Sequence, residues 1–189
     1  MSEVNEQAVT AMRAFLEALG VDLKARGMEK TPERVAKMYA DLFRGMGKST
    51  KDIWGDTFAS DSCGIVAVRH IPFYSMCEHH LVPFFGEVNI AYLPDHGHVA
   101  GFGKFVDVVD TLARQPQLQE RLTAQIARSV LEDLRAKGVL VTIEAEQLCM
   151  TMRKGMAQGT RTLTSESGGV FQENVALCRE AWSLLGGLK

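Results

Sequence analysis

With 189 residues, 46% of them hydrophobic and 23% charged, the chain has the composition of a soluble globular protein long enough for one sizeable core. A formal net charge of -2 gives no electrostatic case for nucleic acid or an anionic membrane as partner, so an anionic substrate must be held by a local cluster. The acid-bearing, amphipathic start lacks the regions of a signal peptide, no run approaches the ~18 apolar residues of a membrane span, and four cysteines in that setting point to a reducing cytoplasm.

Helical spacing of Ala8, Met12, Phe15, Leu16 and Leu19 predicts a first helix that Gly20 can end. A second helix is expected to open with Thr31 as its cap and Pro32 in its first turn, and to bury Val35, Met38, Tyr39, Leu42 and Phe43. Arg34 and Lys37, three apart, share a side of it. Residues 64–70 and 84–93 read as strands. After Pro116 a long helix should turn Leu118, Leu122, Ile126, Val130, Leu131 and Leu134 inward and end near Gly138. A strand from Val139 to Arg153 follows, then a further helix; no repeat, low-complexity tract or linker interrupts the order, and one domain is expected.

The chemistry concentrates in Cys77-Glu78-His79-His80, in or beside the connection between the first two strands, and in Cys149 on the later strand-like run. Cys77 and His80 stand at ligand spacing, and with Cys149 they make three groups for a zinc ion whose fourth position stays open to water, the layout of a catalytic site. Cys63 and Cys178 have no Cys or His at ligand spacing. The competing reading of Cys77 and Cys149 is a pair of ordinary buried thiols. Along the strand, Val139, Val141, Ile143 and Ala145 share a face with Gln147, Cys149, Thr151 and Arg153, which therefore changes from apolar to polar at the proposed ligand. If Cys149 points at the metal, Gln147 and Arg153 enter the same cavity.

The segments TPERVAKMY, SMCEHHLVPFFGEVNIAYLP, QPQLQERLTAQIA and IEAEQLCMTMR stand in the order and at the spacing of the GTP cyclohydrolase I family, which the chain resembles over nearly its whole length. The resemblance implies an α+β tunnelling fold: an antiparallel sheet with helices on one face plus N-terminal helices, assembling into a barrel-like homo-oligomer, often a decamer. A single domain over 1–189 is then expected, with an N-terminal helical part over 1–60 and a tunnelling-fold core over 61–189. The implied partner is a guanine nucleotide, with neither nucleic acid nor membrane. The implied reaction is zinc-dependent opening of the imidazole ring of GTP, giving 7,8-dihydroneopterin triphosphate and formate.

Carried over residue by residue, the resemblance assigns zinc to Cys77, His80 and Cys149, with water attacking C8 of guanine. It gives proton transfer to His79, whose imidazole type titrates in the useful range. Gln119 and Glu120 correspond to residues that contact ribose and guanine, a carboxylate being able to accept from the ring amide and exocyclic amine. Arg34, Lys37, Lys104 and Arg153 correspond to the triphosphate clamp.

Four departures touch catalysis and phosphate recognition. Gln147 stands where the family has a second catalytic histidine, and an amide orients groups by hydrogen bonds but does not shuttle protons. Asp107 replaces a phosphate-binding arginine, Gly103 a serine, and Lys154-Gly155 a Gly-Val pair. Asp107 should pair with Lys104 one helical turn away, while Lys154 and Arg161 are candidates to compensate. The alternatives are a variant that stops at the ring-opened formamidopyrimidine or takes a less phosphorylated purine, and a non-catalytic nucleotide-binding paralogue. A zinc nucleobase deaminase is a weaker competitor, because the HxE and PCxxC arrangement is absent.

Overall fold

Asn5 starts the first helix, α1 (Glu6–Ala18), by accepting the N–H of Gln7 on its side-chain oxygen at 2.8 Å. Gly20 follows its end with φ +80°, the left-handed conformation expected of a helix-ending glycine. The second helix, α2 (Thr31–Leu42), has Lys30 as its cap and Pro32 in its first turn, so Thr31 lies inside the helix and makes no capping bond. In the computed structural model the described residues are 5–25, 27–61, 64–152 and 158–186, and the chain divides into two compact units, Met1–Arg44 and Gly45–Lys189. Within the first unit α1 packs along α2, with Pro32 and Ala36 buried. Met38, expected inside, is 49% exposed; Val35, Tyr39, Leu42 and Phe43 are half-buried, because two short helices cover only one seam of each other.

The second unit runs α3 (Lys51–Trp54), β1 (Phe58–Ala59), β2 (Val66–Cys77), β3 (Pro83–Leu93), β4 (His98–Val99), α4 (Phe102–Ala113), β5 (Pro116–Gln117) and α5 (Gln119–Arg128). A π-helical turn, Ser129–Asp133, extends α5; then come β6 (Gly138–Gln147), α6 (Leu148–Thr151), β7 (Thr162–Gly169), α7 (Val170–Glu173) and α8 (Val175–Leu184). The main sheet has the order β5-β2-β3-β6-β7 and is antiparallel except at β2–β5, while β1 and β4 form a separate ribbon. Helices α4 and α5 cover one face: Val88, Ile90 and Tyr92 of β3 and Val139, Val141 and Ile143 of β6 pack with Phe105, Val108, Leu122 and Ile126. This is the tunnelling-fold arrangement expected from the resemblance.

Two boundaries differ from the sequence expectation. The first strand continues past residue 70 to Cys77, since Pro72 sits where β2 has β3 on one side only and its missing N–H breaks no ladder there. A β-bulge between Val68 and Ile71, with His70 at φ 58°, carries the strand through this stretch. The strand expected over Val139–Arg153 ends at Gln147, and residues 148–151 form the single turn α6. Near Gly138 both faces of β6 are covered, the second by Leu140 against Phe171, Ala181 and Leu185; towards Gln147 the second face opens and Glu144 is exposed.

Trp54 ties α3 to the core. It is 2% exposed, meets Phe105 edge-on at 4.9 Å, and donates its indole N–H to Ser129 Oγ at 3.0 Å. Ser129 in turn donates to Thr50 Oγ1 or Asp133 Oδ2. Trp54→Ala should lower unfolding stability by about 3–5 kcal/mol, in the range for large aromatic truncations. Trp54→Phe should cost less, because Ser129 keeps other partners. Denaturant midpoints at constant m-value check both.

Candidate metal centre

Cys77 is the last residue of β2 and is buried; Cys149 is half-buried in α6; His80 is exposed in the turn between β2 and β3. The Sγ atoms of the two cysteines and a ring nitrogen of His80 lie within 4.8 Å of one another. Strand topology makes this meeting possible. Both β2 and β6 are antiparallel to β3, hence parallel to each other, so their ends reach the same rim of the sheet. Ser75 and Gln147 both pair with Phe84, two strand spacings or about 9–10 Å apart. A strand continued straight through Cys149 would hold that separation. The α6 turn, with Met152 N donating to Leu148 O at 3.0 Å, and the turn after Cys77 close the gap instead.

The Cys77 turn is tight. Cys77 N donates to Val82 O at 2.9 Å, Leu81 N donates to Cys77 O at 2.8 Å, and Leu81 has φ 50°. Glu78 N donates to Gln117 O at 3.1 Å, tying the turn to β5. His79, two residues past Cys77, is 64% exposed, with its ring perpendicular to that of His80 at 6.3 Å. Its Nε2 lies 3.9 Å from Glu78 Oε1.

A tetrahedral ion bound at about 2.3 Å to sulfur and about 2.0–2.1 Å to nitrogen sets its donors about 3.5–3.8 Å apart, so three donors already within 4.8 Å need little further movement to share one. Among the described residues this is the sole His/Cys/Asp/Glu grouping of that kind. Cys178 packs in the cluster around α8, away from these ligands in sequence and in packing, and Cys63 lies outside the described residues.

The remaining site residues fall into three groups. Gln119 opens α5 and is 3% exposed; its Nε2 donates to Ile143 O at 2.9 Å, Thr162 O at 2.9 Å and Thr164 Oγ1 at 3.1 Å. Gln147 Nε2 donates to Gln119 Oε1 at 2.7 Å, which joins the two amides in a part-buried network. Glu120 is exposed on the same first turn, without an ion pair among the described residues. Lys104, half-buried, and Asp107, exposed, do share α4, but no ion pair joins them, contrary to the expectation from their spacing. Arg161 Nε stands 3.9 Å from Glu144 Oε1. Arg34 and Lys37 are exposed on α2 of the first unit, and Arg153 and Lys154 lie outside the described residues. Sequence reasoning passed over Arg121 and Gln117, which grip Glu78; their spacing of four was a signal for their own pairing but not for Glu78.

The sequence model of the family described as GTP cyclohydrolase I matches residues 8–186. The GTP cyclohydrolase 1 of Lysinibacillus sphaericus (strain C3-41) is 48% identical over 93% of this chain and 93% of its own. That of Geobacillus sp. (strain WCH70) is 47% identical over 99% and 100%, and that of Bacillus mycoides (strain KBAB4) 47% identical over 98% of each chain. Among solved structures, the apo archaeosine synthase QueF-Like aligns over 58% of this chain and 97% of its own, at 20% identity and a TM-score of 0.48.

Losing one of three ligands should remove most of the metal affinity. Elemental analysis of purified Cys149→Ala is expected to show the metal nearly gone, whereas Cys63→Ala and Cys178→Ala keep it; full occupancy in Cys149→Ala would break the ligand assignment.

Proposed function

We propose, on the premise that the chain belongs to the GTP cyclohydrolase I family and is a hydrolase of that type, that the Cys77–His80–Cys149 centre holds zinc and opens the imidazole ring of a guanine nucleotide. The single observation that carries this is the convergence of two thiols and an imidazole from the end of β2, the turn after it and α6 to within 4.8 Å. Two thiolates and an imidazole fit a borderline-soft, four-coordinate ion. When bound, zinc supplies a Lewis acid that makes hydroxide available near neutral pH.

The chain's own groups do the rest. His79, exposed beside the ligand triple, takes and returns protons at the reacting ring. Glu120 accepts hydrogen bonds from the guanine amide and exocyclic amine, and its carboxylate carries no competing ion pair among the described residues. Gln119 and Gln147 hold each other and fix the segment leading to Cys149. The resemblance assigns the phosphates to Arg34, Lys37, Lys104 and Arg153. The whole chain then works as one domain, in a cytoplasmic homo-oligomer, decameric in the manner of the family. Support for assembly comes from β7, which ends the sheet with an edge unpaired among the described residues, and from Tyr74 and Leu163, apolar and about 60% exposed. Intact ligands and His79 favour an enzyme over a nucleotide-binding paralogue without catalysis.

Gln147 favours a second reading of the end product. Its Nε2 is held by Gln119, and an amide cannot replace a histidine in the proton transfers of formate release and pterin closure. Removing one acid–base group typically costs about 10²–10⁴-fold. With GTP, product mass spectrometry and a formate assay should therefore show a ring-opened formamide nucleotide accumulating, and Gln147→His should raise progress to the pterin. Rapid, complete conversion to 7,8-dihydroneopterin triphosphate by the unaltered protein would contradict this.

At the phosphate end Lys104 is not neutralised by Asp107, so the effect of Asp107 is repulsion alone. A unit pair at 4 Å and intermediate dielectric is worth at most ~4 kcal/mol, which sets the upper scale. Space does not oppose restoring the family residue at 103, since a Cβ at Gly103 meets no atom within 4 Å. Affinities for GTP, GDP, GMP and guanosine should shift towards fewer phosphates in the unaltered protein and back towards GTP in Asp107→Arg, further with Gly103→Ser. Strong GTP preference that the variants do not raise would refute the repulsion.

A further inference from the structure

We propose that Arg121 is a positioning residue of the metal centre, holding the Cys77–His80 turn through Glu78 and Gln117 at the separation from Cys149 that one ion requires. The inference rests on the metal-centre reading above and concerns residues that neither bind the ion nor reach the substrate in that reading.

Arg121 stands on the first turn of α5 and reaches three acceptors. Its Nε donates to Gln117 Oε1 at 2.6 Å, and its Nη2 donates to Pro116 O at 3.1 Å and to the Glu78 carboxylate at Oε2. The anchor under it is fixed. Gln117 is 0% exposed; its Nε2 donates to Leu112 O at 3.1 Å and Gln125 Oε1 at 2.8 Å, and its Oε1 accepts from Leu118 N as well as from Arg121. Every polar atom of that side chain is satisfied, so it has one orientation. Glu78 is the residue between Cys77 and the two histidines, and its other carboxylate oxygen lies towards His79. Gripping Glu78 therefore fixes the course of the turn from Cys77 to His80.

The same stretch of chain holds the other half of the centre. Gln119, two residues after Gln117, donates to Ile143 O on β6 and accepts from Gln147, two residues before Cys149. Residues 117–121 thus touch both ligand-bearing segments and define the span between them. The turn needs such a hold. Leu81 has φ 50°, a conformation disfavoured for a residue with a side chain, and His80 is exposed. Arg121 and Glu78 are themselves 42% and 30% exposed, and an ion pair that accessible to water adds little to global stability. Their effect should appear in the metal and not in the fold.

The test is chelator competition for Zn²⁺ and Co²⁺ on the full-length protein, with metal-free thermal unfolding alongside. Arg121→Ala and Glu78→Ala should each weaken metal affinity about 10–100-fold, the usual loss when a group orienting a ligand is removed. The double variant should be no weaker than the worse single one, because both cut the same link. Arg121→Lys should fall between the unaltered protein and Arg121→Ala, since an ammonium cannot span the three acceptors. The Co²⁺–thiolate absorption should shift in Arg121→Ala, and the metal-free melting temperature should not move. Unaltered affinity and absorption in Arg121→Ala would overturn the proposal, as would multiplicative losses in the double variant. Failure of the unaltered protein to take up either metal would overturn the metal-centre reading first, and this one with it.

Discussion

Two thiols carried at the ends of strands that are not neighbours meet at one point, and much of the second unit follows from that constraint. Because β3 separates β2 from β6, the ladder holds Ser75 and Gln147, just before the two cysteines, two strand spacings apart. The sheet solves half the problem by running β2 and β6 parallel, so that both exit at the same rim. Abandoning strand geometry immediately after Gln147 and after Cys77 solves the rest. A site made this way depends on whatever sets the distance between the two turns, and the start of α5 is the element bonded to both.

Chemistry and packing are coupled at that point. Helix α5 is driven onto the sheet by Leu122 and Ile126, both fully buried, and the same docking brings Gln117, Gln119 and Arg121 to the rim. The hydrophobic face supplies the rigidity and the polar first turns supply the aim. In the proposed reading, three protein donors rather than four would leave a coordination position for a reacting oxygen. At this rim, polar side chains bonded to one another take the place of apolar packing, as in Gln147–Gln119–Thr164–Thr123, where each member has a recorded partner.

How much of this was legible in the sequence depended on the range of the signal. The spacing of Cys77 and His80 and the isolated Cys149 were readable because ligand chemistry is tied to residue type. The inward faces of α5 and β6 were readable from their periods, and of the six residues expected inside on the helix after Pro116, Leu122, Ile126, Val130 and Leu134 are buried. The strand expected through Cys149 failed because Gln147, Cys149 and Thr151 alternate equally well on a strand or around a single helical turn; four residues cannot separate the two periods. Met38 was expected inside because periodicity reports which residues share a face and not whether a partner covers it. The grip of Arg121 on Glu78 joins residues far apart in the chain, and no local pattern encodes it. The absence of a Lys104–Asp107 pair shows the reverse limit: correct helical spacing permits an ion pair without requiring one.

Gln147 lies two residues before Cys149 and leaves the three candidate ligands unaltered, so the account separates holding the metal from completing the reaction. Its central claim is an open, three-ligand centre assembled from two turns. X-ray absorption at the zinc edge of the metal-loaded protein addresses that claim most directly. The account predicts two sulfur scatterers at about 2.3 Å, one imidazole nitrogen at about 2.0–2.1 Å and one further light atom from solvent. Three or four sulfurs, or an all-oxygen and nitrogen shell, would contradict it.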